Sequence, residues 1–152
     1  NNCYNGHTFW DVEQFMWPNL LLFHPELAAS SLQYRFDRRG PAAALAKSWN
    51  MAGLKFPWES ALTGEEVCPW KDGQREIHIS GDVSLAFWQY WQATGDRSWL
   101  GEVGWPVLKG VAEFWAYRTA TLPDGSFQIR DVVDVDEKAD GVSDSAYTNA
   151  VA

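Results

Sequence analysis

Stretch after stretch of this chain carries apolar residues at helical spacing, and only residues 126–133 alternate as a strand would. Apolar residues dominate 11–23, where Pro18 is expected to kink or break the run. His24-Pro25-Glu26 reads as a helix start, with proline in first place and an acid in the first turn. That helix is expected to reach Arg39 and to stop at Gly40-Pro41, and an alanine-rich helix over 42–52 is closed by Gly53. Residues 80–94 are apolar nearly all round, which predicts a helix buried on several sides. Asp96 is placed to cap a short helix through Leu100, and Val107, Val111, Phe114 and Trp115 mark another long helix to about Thr119. Pro123-Asp124-Gly125 is a turn, 126–133 a small hairpin or extended arm, and Asp144 the cap of a last helix. This succession predicts an all-α array of antiparallel helical hairpins. A solenoid would show a repeat of ~34–47 residues. None is visible, so a helical toroid with a pocket at one end fits better.

Residues 54–73 break the pattern. They have no helical period and contain Pro57, Gly64, Pro69 and Gly73; loops of that length are uncommon in compact domains unless functional. Within this loop lies Phe56-Pro57-Trp58-Glu59-Ser60, which pairs an indole with a carboxylate as Phe9-Trp10-Asp11 does. An indole covers the apolar C–H face of a pyranose ring while a carboxylate accepts hydrogen bonds from its hydroxyls. Ten tryptophans in 152 residues exceed what a core of this size requires, so a carbohydrate-processing protein is the leading expectation. The structural alternatives are that Asp11 caps a helix, that Trp10 is core, and that Pro57-Trp58 anchors a loop.

A third cluster, Asp134-Val135-Asp136-Glu137, offers a proton donor. Glycoside cleavage needs one carboxylic acid to protonate the leaving oxygen and a second group to activate or deliver the nucleophile. Crowded acids repel, which favours a retained proton on one of them, although a solvated acidic loop reads equally well from spacing alone. His78, in Glu76-Ile77-His78-Ile79, could touch substrate or be a satisfied structural histidine.

The remaining features exclude other classes. Net charge is −8 with scattered Lys and Arg, so no basic stripe exists to bind nucleic acid. No apolar run reaches the ~20 residues of a membrane span. His7 and His24 have no partners at zinc-ligand spacing, and no phosphate loop, nucleophile elbow or dinucleotide fingerprint occurs. Spacing does not decide whether Cys3 and Cys68 pair. The chain stops inside the apolar run Tyr147-Thr148-Asn149-Ala150-Val151-Ala152 without a capping glycine, and reads as a piece of something larger.

Gly6-His7-Thr8-Phe9-Trp10-Asp11, Phe56-Pro57-Trp58-Glu59-Ser60-Ala61, Glu76-Ile77-His78-Ile79, Asp136-Glu137 and Tyr147-Thr148-Asn149 resemble, in order and rough spacing, the motifs of glycoside hydrolase family 65. That family includes maltose, trehalose and kojibiose phosphorylases, acid trehalases and protein-glucosylgalactosylhydroxylysine glucosidase. The resemblance runs across essentially the whole chain. It implies an (α/α)6 barrel of which this chain is about the first half. It also implies inversion at α-glucosidic bonds without metal or organic cofactor. By the same resemblance Glu137 is the general acid, Trp10, Asp11, Trp58 and Glu59 hold the non-reducing glucose, and His78 lines the pocket. The base, or a phosphate site, would lie outside 1–152. Two departures stand out: Asp134-Val135 precede the acid pair where the family usually has Gly-Pro or Pro-Pro, and Lys138 follows where Tyr or Phe is usual. Lys138 is thus placed to pair with Glu137 and oppose an acid role. The wording of 16–26 resembles the glucosidase and trehalase branch more than the phosphorylases. A disaccharide phosphorylase and a non-catalytic sugar-binding helical domain remain the alternatives.

Overall fold

The computed structural model describes residues 3–152, the side chains of Cys3 and Lys71 excepted. A π turn, Val12–Met16, runs straight into α1 (Trp17–Phe23), followed by α2 (Pro25–Asp37) and α3 (Arg39–Ser48). A long loop leads to α4 (Lys71–Arg75) and α5 (Ile79–Thr94). Then α6 (Arg97–Trp99) passes through a second π turn, Leu100–Gly104, into α7 (Trp105–Arg118). Strands β1 (Ala120–Thr121) and β2 (Phe127–Gln128) pair antiparallel, and α8 (Ala146–Val151) ends the chain. The fold is therefore mostly helical with one small hairpin.

Helix α5 is the centre. It packs against α1, α2, α7, α8 and the first π turn, because its N-terminal half is buried from Ile79 to Val83. Phe87 continues that buried line and meets Phe56, Leu32, Val107, Val111 and Phe114 in one core. Further along, Trp88 is 43% exposed, so burial on several sides applies only to the first half of the helix. Trp17 anchors α1 on α2, its indole N–H donating to the Ala28 carbonyl at 3.2 Å.

Several element ends differ from the sequence expectation, each for a local reason. Pro18 does not break its helix. It is the second residue of α1, and the π turn before it hands the Trp17 N–H to the Val12 carbonyl, so little is lost where proline lacks a donor. Gly40-Pro41 do not stop a helix either. They sit in the first turn of α3, and the break falls earlier, at Arg38. Helix α3 ends at Ser48 because Asn50 takes the left-handed conformation (φ 58°), letting the Met51 N–H donate back to Ala46 at 3.1 Å. Ser145, rather than Asp144, caps α8: its hydroxyl accepts from the Thr148 N–H at 3.2 Å. Asp96 caps α6 as expected, accepting from the Trp99 N–H at 2.9 Å.

Gly53 has a different task from the one its sequence position implied. Its φ is 82°, and a Cβ there would lie 2.3 Å from the Gly110 carbonyl oxygen of α7. The chain must run this close for the Leu54 N–H to donate to that same oxygen at 2.8 Å. Gly53→Ala combines a strained backbone with an overpacked contact. It is expected to cost about 1–3 kcal/mol in denaturant unfolding of the intact protein. A loss indistinguishable from zero would mean that the loop and α7 are not held so tightly.

Candidate active site

The two indole–carboxylate segments lie side by side because their backbones pair. The Thr8 N–H donates to Ser60 at 2.7 Å and the Ser60 N–H returns to Thr8 at 3.0 Å. Phe9 then meets Trp58 edge-on, ring centres 5.3 Å apart. From the other side, the Glu66 carboxylate accepts from three backbone N–H groups: Trp58 at 2.7 Å, Glu59 at 3.1 Å and Cys68 at 3.1 Å. Burial pushes the Glu66 carboxyl up, while those N–H groups and the nearby Lys55 ammonium hold it down. Lys55 is itself buried, which pulls its pKa down to about 8 against the attraction of Glu66. The Tyr34 hydroxyl completes the clamp, donating to the Ala61 carbonyl at 2.5 Å. The Phe9-Trp10-Asp11 segment is secured by a buried ion pair beneath it. Arg35 donates twice to Glu13, at 2.6 and 2.9 Å, and reaches the Phe9 carbonyl at 3.4 Å.

Glu137 arrives from a third direction. Beyond β2 the chain is tied down where Val132 pairs with Val142 and the Val133 N–H donates to Arg75. Within the loop so formed, Asp134 accepts from Ser145 Oγ at 2.7 Å and the Val135 N–H at 2.8 Å, and Asp136 accepts from the Lys138 N–H at 3.2 Å. The two aspartates thus shape the loop. Lys138, among the described residues, makes no ion pair with Glu137; its backbone serves Asp136 instead. Glu137 is left exposed at the wall of a cavity of about 380 Å³ that it shares with Trp10, Asp11, Trp58, His7 and Met16. That volume lies at the small end of ligand sites, ~300–1,000 Å³.

Glu59 and His78 stand differently from the other candidates. Glu59 does not line the cavity; its carboxylate sits 2.6 Å from Nδ1 of His7, which does. His78 is fully buried, one layer below Trp10, whose ring centre lies 4.8 Å away. The sequence reading that placed His78 against substrate is not what the geometry supports, because both ring nitrogens face carboxylates: Nε2 is 2.8 Å from Glu76 and Nδ1 2.7 Å from Asp82. Burial alone would lower the His78 pKa, but hydrogen bonds and charge from Asp82 and Glu76 reverse this and raise it to about 8. Asp82 also accepts from Gln14 at 2.9 Å and from the Tyr147 hydroxyl at 2.8 Å; burial and that bond raise the Tyr147 pKa.

Glu66, Lys55, Tyr34, Glu13, Arg35 and Asp82 all support the site and were not singled out from sequence. One signal was available for Arg35. It sits on the same helical face as Ala28 and Leu32, where a cation is tolerated only with a buried partner. Cys68 is half-buried and free, and its pairing with Cys3 lies outside the described residues.

Residues 1–152 match the model of the glycosyl hydrolase family 65 central catalytic domain. The chain is 47% identical over 151 residues to a kojibiose hydrolase of Flavobacterium johnsoniae, covering 98% of this chain and 22% of that protein. It is 46% identical over 153 residues to a protein-glucosylgalactosylhydroxylysine glucosidase of Dictyostelium discoideum, covering 96% of this chain and 22% of that protein. A solved human-microbiome protein described as a kojibiose phosphorylase superposes with a TM-score of 0.92 at 27% identity, over 99% of this chain and 22% of that one. The chain thus spans about a fifth of the length of the curated relatives it matches.

Proposed function

The chain belongs to glycoside hydrolase family 65, and from that premise we propose that it forms part of an (α/α)6 barrel, about the first half, in an enzyme that hydrolyses an α-glucosidic bond with inversion. Trp10 and Trp58 cover the faces of the non-reducing glucose, and Asp11 accepts hydrogen bonds from its hydroxyls. Glu59 acts one step back, its carboxylate 2.6 Å from Nδ1 of His7 and so orienting that cavity-lining side chain. Glu137 donates a proton to the glycosidic oxygen as the bond breaks, and water attacks from the opposite face, activated by a base outside 1–152. The observation that carries this reading is convergence: Trp10, Asp11, Trp58 and Glu137 come from three separate segments and line one cavity.

Phosphorolysis, with inorganic phosphate replacing water, is the second reading, favoured by the superposition on a kojibiose phosphorylase. Hydrolysis is preferred because the curated relatives at 47% and 46% identity are a hydrolase and a glucosidase. The intact protein, incubated with kojibiose or another α-glucoside, is expected to release β-glucose at a rate indifferent to phosphate, followed by NMR of the fresh anomer. Glucose 1-phosphate appearing only when phosphate is added would replace hydrolysis by phosphorolysis. Glucose binding without cleavage under either condition would leave a sugar-binding domain.

A further inference from the structure

A line of buried charge runs beneath the cavity. Glu76, His78 and Asp82 have no exposed side-chain surface, yet their three ionisable groups are in direct contact. They occupy the entry and first turn of α5, and the line is extended by Gln14 from the first π turn and Tyr147 from α8. A neutral imidazole donates through one nitrogen only, whereas an imidazolium donates through both and can satisfy Glu76 and Asp82 together. Loss of that proton would leave one carboxylate facing a lone pair in a dry interior, a costly arrangement.

Two ties lead from this line to the cavity wall. The His78 ring is edge-on to Trp10 (4.8 Å, 84°) and to Tyr147 (5.1 Å, 85°), and Trp10 and Tyr147 are themselves 6.0 Å apart. At the other end, Glu76 lies by Trp58. The Trp58 indole N–H and Glu76 Oε2 are both buried and face each other outside strict hydrogen-bond geometry, close enough that the indole opposes the rise in the Glu76 pKa that burial causes. Among the described residues no hydrogen bond fixes the plane of the Trp10 indole, and the Trp58 indole has only its approach to Glu76. What holds them is the packing at their inner edges.

We propose that His78 is a positioning residue for the sugar-binding wall: one imidazolium, shared by Glu76 and Asp82, fixes Trp10 and Trp58 relative to each other and so sets the grip on the glucose ring. The inference rests on the sugar-binding reading above and adds the residue that tunes it. Indole stacking acts on a bound ring before and during reaction alike, so the effect belongs in KM rather than in kcat. The His78 pKa is raised from 6.5 to about 8, so the imidazolium is fully present below its ordinary value and is lost as pH rises through about 8. The charged and titratable groups facing the line are Glu76, Asp82 and Tyr147, with Arg35 on the Asp82 side and Glu137 on the Glu76 side.

The test uses the intact protein and its His78→Asn variant, with glucose affinity from tryptophan fluorescence and kinetics on an α-glucoside from pH 6 to 9. In the parent, glucose affinity is expected to weaken as pH passes about 8. In the variant, affinity should fall and KM should rise about tenfold at pH 6, with kcat nearly unchanged and the break near pH 8 gone. A folded variant with parental affinity and the same pH break would overturn the positioning role while leaving the sugar-binding reading intact. A parent that binds neither glucose nor an α-glucoside would overturn both. Should His78→Asn fail to fold, Glu76→Gln carries the test: it keeps an acceptor for Nε2 but removes one of the charges that hold the proton. The break should then move below 8 and glucose bind more weakly; an unmoved break overturns the proposal.

Discussion

Glu137→Gln in the intact protein is expected to lower kcat on an unactivated α-glucoside by roughly 10²–10⁴-fold, with KM changed far less. The substitution keeps the side chain's shape at the cavity wall but removes the proposed proton donor. Its neighbours cannot substitute, since the Asp134 and Asp136 side chains are engaged in holding the loop that presents Glu137. Leaving-group chemistry offers an internal control. Fluoride departs without needing a proton, so the variant should process α-glucosyl fluoride at a rate close to that of the parent. Equal loss on both substrates would mean that Glu137 does something other than protonate the leaving oxygen. Full activity in Glu137→Gln together with inactivity in Asp136→Asn would move the acid role to Asp136.

The largest effect on stability is expected at Arg35. Its guanidinium and the Glu13 carboxylate are joined by two hydrogen bonds with almost no exposed surface. Burial lowers the Arg35 pKa, yet the charge and hydrogen bond of Glu13 outweigh it and the net shift is upward. Arg35→Leu would leave Glu13 buried and unpaired at a cost of about 3–5 kcal/mol, read from urea unfolding. Replacing both partners, as Glu13→Leu with Arg35→Met, should recover most of that loss, because well-packed apolar pairs replace buried ion pairs at little or no cost. If the double variant is as unstable as the single one, the pair is holding something beyond itself. The Phe9 carbonyl, which Arg35 also approaches, is the evident candidate.

Local chemistry was legible where it is decided locally. The Pro25 helix start, the Asp96 cap and the turn at Gly125 follow from residue type, and the structure has all three. Pro18 and Pro41 misled because proline at the front of a helix loses nothing, and a sequence does not announce that a π turn or a break at Arg38 has just reset the hydrogen bonds. In the site, the indole–carboxylate couples and Glu137 stood out because their residue types are unusual together. The means of bringing them together did not: the Thr8–Ser60 pairing joins segments far apart in the chain, and the Glu66 clamp closes an irregular loop that no residue period announces. His78 drew notice for its imidazole, but its role depends on Asp82 one turn later, whose carboxylate reads in sequence as an ordinary first-turn acid.

The π turn at Val12–Met16 begins one residue after Asp11. Each residue of a regular helix advances the direction of its side chain by about 100°, so one residue added to a turn re-phases everything on either side of it. Here the widened turn directs Glu13 and Gln14 inward to Arg35 and Asp82, while Trp10 and Asp11 open on the cavity. A regular path through the same residues would have to give up one of those alignments. The irregular turn is therefore a setting of angular register, through which the cavity wall and interior anchoring are both supplied from a single short stretch of backbone.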